Sequence, residues 1–89
     1  MRIWGKIIRD NHLLRDTVVL LEGPERRTIK VFEGLRLICM EFDLAVPTWL
    51  NTNVKEFQRT AKTRFRKDSF IEQIPFDYLE IQIIEDDLP

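Results

Sequence analysis

The sequence predicts a small α+β domain of ββα(α)β order, in which an antiparallel sheet of about three strands packs against one long helix. Three observations carry this expectation. Two β-rich runs flank Asp10-Asn11-His12, a long middle segment repeats apolar residues at helical spacing, and a C-terminal run alternates strictly. With 89 residues there is material for one core and not for two, so residues 1–89 are expected to form a single domain.

The two opening runs, Arg2 to Arg9 and Leu13 to Glu22, read as a hairpin. Asp and Asn tolerate the left-handed backbone of tight turns, so the chain should reverse at Asp10-Asn11-His12. Odd positions Ile3, Ile7, Leu13, Val19 and Leu21 make one apolar face, yet Trp4, Ile8, Leu14, Val18 and Leu20 are apolar as well. A sheet with one wet face alternates more cleanly, so both faces are expected to be at least partly covered, by later segments or by another subunit.

Gly23-Pro24-Glu25 should end the strand and begin a helix, with Pro suited to a first helical turn. From Glu25 to Asp43, the stripe Val31, Phe32, Leu35, Ile38, Cys39 and Phe42 marks the principal core helix, widened by Leu37 and Met40. Val46-Pro47 stops any continuation. Asn51-Thr52-Asn53 offers caps for a second helix, with Asn53 and Glu56 at capping-box spacing and Val54, Phe57, Ala61 and Phe65 as its stripe. Its end is ambiguous, because Thr63 to Arg66 also suits a short extended segment. Ser69-Phe70-Ile71-Glu72 predicts one more helical turn, closed by Pro75. From Tyr78 to Glu85, Leu79, Ile81 and Ile83 alternate with Tyr78, Glu80 and Gln82, the pattern of a strand with one buried face. Asp86 to Pro89 reads as a solvated tail.

The formal net charge of −1 argues against general affinity for polyanions or membranes, but it conceals a reversal. Residues 54–67 hold six bases and one acid, whereas residues 68–89 hold seven acids and no base. On a helix continuing to Arg66, Lys55, Arg59, Lys62 and Arg66 would share one face that could follow a phosphate backbone. The alternative, which the overall charge favours, is that this basic stretch docks against the acidic segment that follows it.

Other chemistry-bearing residues point away from catalysis. His12, the lone histidine, sits at the expected turn without an orienting partner. Cys39, the lone cysteine, falls on the apolar stripe, where an inert thiol in a reducing compartment is expected. The clustered acids Glu80, Glu85, Asp86 and Asp87 have no calcium-loop spacing. There is no glycine-rich phosphate loop, nucleophile elbow or zinc-protease motif, so neither an enzyme, a cofactor nor a small-molecule substrate is expected. The opening residues lack a signal-peptide pattern, and no apolar run nears the roughly 20 residues of a bilayer span, which makes cytosol the expected location. Tryptophan is enriched at binding hot spots, so Trp4 on the second hairpin face and Trp49 in a loop are candidate anchors.

The opening Trp4-Gly5-Lys6-Ile7-Ile8-Arg9-Asp10 and the run from Thr63 to Glu85 together resemble a family of short bacterial proteins without assigned function. The resemblance spans nearly the whole chain. It implies a free-standing bacterial cytosolic protein and brings no activity, cofactor or catalytic residue. The leading expectation is a non-enzymatic protein-interaction module that self-associates through the surplus apolar face of the hairpin and the loop around Trp49. The competing one is nucleic-acid contact through Lys55, Arg59, Lys62 and Arg66.

Overall fold

A computed structural model describes residues 1–87 of the chain. Its elements are β1 (Arg2–Arg9), β2 (His12–Leu20), α1 (Arg27–Glu41), α2 (Asn51–Thr60), β3 (Lys62–Phe65) and β4 (Tyr78–Glu85), with a 3-10 turn at Lys67–Ser69. The α+β expectation holds, but the sheet has four antiparallel strands, in the order β2-β1-β4-β3, and there are two α-helices. The hairpin turns where expected: Asp10 (φ 51°) and Asn11 (φ 63°) both adopt the left-handed backbone of a two-residue turn. The Asp77 carboxylate accepts the Asp10 N–H at 2.8 Å, and Ile8 O accepts the Asp77 N–H at 2.9 Å, so β4 enters the sheet tied to this turn.

Helix α1 lies over β1 and β2 on one sheet face, and two glycines let it approach. A Cβ on Gly34 would stand 2.6 Å from Ile3 Cδ1, and one on Gly5 would stand 2.5 Å from Ile38 Cγ2, both closer than real atoms come. The buried stripe is Lys30, Val31, Gly34, Leu35, Ile38 and Cys39, with Phe42 beyond the helix end. Phe32, expected in the core, is instead about half exposed, because the close glycine contact turns the stripe toward Lys30 and Gly34. The helix also starts later than expected: Gly23 takes φ 110° and Pro24 lies outside the helix, whose first turn has no side-chain cap.

The short extended segment that the sequence offered as an alternative for Thr63 to Arg66 forms as a strand, Lys62–Phe65, and explains the other departures. Ala61 adopts a left-handed φ of 56° and ends α2, so residues 62–65 swing into the sheet as β3 against β4. Asn53 is not the N-cap, which is Leu50, but serves that cap from the third helical position. Buried there, its side chain accepts the Leu50 N–H at 3.0 Å and donates to Thr63 Oγ1 and Arg64 O, each at 2.9 Å. Phe57 is buried, whereas Val54 is largely exposed. The expected helical turn from Ser69 to Ile74 does not form; Ser69 O accepts the Thr48 N–H at 2.8 Å, and Phe70 packs edge-on against Phe76.

Nor is the acidic tail free through Asp87. Its carboxylate takes the Lys30 ammonium at 2.7 Å and the amino terminus at 3.0 Å, while Asp86 pairs with Arg27 at 3.1 Å. Leu88 and Pro89 lie outside the described residues. No helix among the described residues is long and apolar enough to cross a membrane.

Candidate functional site

Both helices pack on the same sheet face, since α1 covers Ile3 and Gly5 while Phe57 of α2 and Phe65 of β3 both meet the indole of Trp49. No helix covers the opposite face, so of the two covers expected for it, later segments of the chain or another subunit, the first is not found among the described residues. Because partners across a ladder point the same way, the register places Asp16, Val18, Trp4, Lys6, Glu80, Gln82, Lys62 and Arg64 together on it. A bulge between Ile7 and Ile8 pairs Leu13 with Ile8, and so moves Leu13 off the core face where alternation alone had placed it.

Across this face runs a charged belt that touches every strand. The Trp4 indole N–H donates to Asp16 at 2.9 Å, and Lys6 Nζ lies 4.0 Å from the centroid of the Trp4 ring. Lys6 then meets Glu80 at 2.7 Å, and Arg64 meets the other Glu80 oxygen at 3.0 Å. The Arg64 and Arg66 guanidiniums sit 4.6 and 5.7 Å from the Tyr78 ring. Glu80 is only 5% exposed. Burial opposes its charge, yet the hydrogen bonds and charges of Lys6 and Arg64 outweigh that and hold its carboxyl below the ordinary range. Sequence alternation placed Glu80 on a wet face and gave no sign of this neutralised pair, because the partners come from two other strands.

The basic stretch is not a helical stripe. With α2 ending at Thr60, Lys55 and Arg59 stay on the helix while Lys62 and Arg66 belong to β3 and its exit. Arg59, Lys62, Arg64 and Arg66 nevertheless line a groove of about 180 Å3, together with Glu56 and Glu80; Lys55 does not reach it. Among the described residues, the only ion pair between the basic and acidic stretches is Arg64–Glu80. Glu85, Asp86 and Asp87 dock elsewhere, on Arg2, Arg27, Lys30 and the amino terminus, and Glu80 also meets Lys6. Intramolecular docking of the acidic stretch is real, but its counterpart is the N-terminal part of the chain.

Trp49 is partly buried. Its ring meets Phe32, Phe57 and Phe65 edge-on at centroid distances of 5.9, 5.5 and 5.0 Å, and it forms the floor of a cleft of about 180 Å3 between α1 and α2. Its indole N–H is buried with no hydrogen-bond partner among the described residues.

Apolar surface remains on the hairpin side of the sheet, as it does at Ile29, Phe32, Val46 and Ile71 elsewhere. Leu13, Leu14, Val18 and Leu20 are each about half exposed, as is Ile84 on β4. On the helix side of β2, Thr17, Val19, Leu37 and Met40 border a shallow groove of about 390 Å3, with Met40 64% exposed.

The residues that could do covalent or metal chemistry are scattered. His12 is exposed at the hairpin turn, and burial pushes the Cys39 thiol up to about 11. No group of three or more His, Cys, Asp or Glu among the described residues could hold a metal ion. The chain matches no protein-family model, no curated protein and no solved structure.

Proposed function

We propose that this chain is a non-enzymatic interaction module that self-associates through the hairpin side of its sheet. One observation carries the reading: both helices cover the same sheet face, leaving Leu13, Val18 and Leu20 of β2 about half exposed on the face that bears Trp4. A cluster of apolar side chains on a sheet gains by removal from water, at roughly 25 cal/mol per Å2 of apolar area. Trp4 belongs to this surface, whereas Trp49 serves the interior. Light scattering over a concentration series tests the proposal. The mass should rise above the 10.7 kDa of one chain as concentration increases; a single-chain mass throughout would remove it.

A second reading has its own support. Arg59, Lys62 and Arg66 share a groove and have no carboxylate partner among the described residues, an arrangement suited to the phosphates of a nucleic acid. Binding to single- and double-stranded oligonucleotides should then be strongest at low salt and weaken in Arg59→Ala and Arg66→Ala. No binding at low salt would end this reading.

A further inference from the structure

The two edges of the sheet are finished differently. Outward-facing backbone groups on β3 are closed by α2: the Arg64 N–H donates to Glu56 at 3.1 Å, Arg64 O accepts from Asn53 at 2.9 Å, and Lys62 O accepts from Thr60 at 3.0 Å. Charged side chains Lys62 and Arg64 guard the same strand, the usual defence of an edge. β2 carries Arg15 and Asp16, but no neighbouring element closes its outward backbone groups among the described residues.

Which β2 groups face outward follows from the ladder. Met1 and Leu21 exchange both hydrogen bonds, at 3.1 and 2.8 Å, and the register runs unbroken from Arg2–Leu20 to Ile7–Arg15. Bonded and non-bonded pairs alternate, so Val19, Thr17 and Arg15 bond to β1 while the N–H and C=O of Asp16, Val18 and Leu20 point away from the sheet. No side chain among the described residues bonds to those groups, and β2 contains no proline.

We infer that β2 pairs edge to edge with β2 of a second copy, in antiparallel register about a two-fold axis at Thr17, joining two four-stranded sheets into one. This inference rests on the self-association reading and specifies its geometry. A docking strand must offer apolar residues on both sheet faces, because Val18 and Leu20 flank the edge on one side and Val19, Leu37 and Met40 on the other. β2 is itself such a strand. Centring on Thr17 sets Asp16 opposite Val18 and Arg15 opposite Val19 of the other copy, and threonine opposite threonine, a favourable pair. Centring on Asp16 would instead oppose two carboxylates. Because α2 closes the β3 edge, the pairing ends at a dimer and cannot run on into a filament.

Three variants test it. Val18→Pro removes an outward N–H and leaves the bonds to β1 alone, Val18→Lys puts a charge at the edge, and Thr17→Cys brings two thiols within reach across a non-bonded pair. Cys39, 1% exposed, does not compete. Light scattering should show wild type reaching twice the 10.7 kDa chain mass and both Val18 variants halving it. Mild oxidation should crosslink Thr17→Cys and leave a Lys62→Cys control uncrosslinked. If wild type dimerises while the folded Val18→Lys protein still does so and Thr17→Cys does not crosslink, edge pairing is wrong and self-association stands. If wild type remains a single chain at every concentration, both fall.

Discussion

Trp49 shows how much one side chain can carry in a domain of this size. Its ring supplies the shared surface for Phe32, Phe57 and Phe65, and so joins α1, α2 and β3, while its buried N–H bonds to nothing among the described residues. An unmet buried donor costs about 1–3 kcal/mol, whereas losing a buried aromatic ring costs about 3–5 kcal/mol. Trp49→Phe should therefore stay within about 1 kcal/mol of the parent protein in urea denaturation, and Trp49→Ala should lose about 3 kcal/mol or more. Equal damage from both would show that the N–H, not the ring, matters. The tryptophan was conspicuous in the sequence, but its three aromatic neighbours lie on different elements, so only the fold makes it an interior residue.

At the scale of elements, the decisive event is the break at Ala61. An L-residue other than Asn or Gly pays about 1–2 kcal/mol for left-handed backbone, yet here it turns the chain from α2 into β3 and lets Ala61 O accept the Ile83 N–H at 3.0 Å. Ala61→Gly should raise stability by about 0.5–1 kcal/mol, read as a higher midpoint in thermal or urea unfolding, since glycine takes that conformation without strain. A lower midpoint would mean that the Ala61 methyl contributes more through its contacts than its backbone loses. The strand that follows was one of two readings the sequence allowed, for a physical reason. It is four residues long, and its alternating bases continue the helical charge spacing that begins at Lys55.

Over the whole molecule, charge ties the ends of the chain to its middle. Lys30 and the amino terminus hold the Asp87 carboxyl below its ordinary range, and Lys6 with Arg64 does the same for Glu80 against the opposing effect of burial. A carboxyl depressed in the fold contributes stability fully above its unfolded pKa and loses it as pH falls through the folded value. Stability should therefore drop as pH is lowered from 7 to about 3, and the drop should be shallower in Asp87→Asn and Glu80→Gln. Unfolding midpoints across that range measure it; an unchanged slope in both variants would place the acid sensitivity in other carboxyls.

From the sequence by itself come the α+β class, the reversal at Asp10-Asn11, the stripe of α1 and the alternation of β4, because each is set by neighbours in the chain: turn chemistry or a repeat of two or of 3.6 residues. Only tertiary structure decided the fourth strand, the rotation of α1 about Gly34 and Gly5, and the partners of the acids. Those depend on which surfaces meet. The charge reversal was legible as composition, but ion pairing needs atoms within a few ångströms, and β4 enters the sheet beside β1. Its acids therefore found Lys6 and Arg2 as readily as Arg64, and the bases of β3 were left lining a groove.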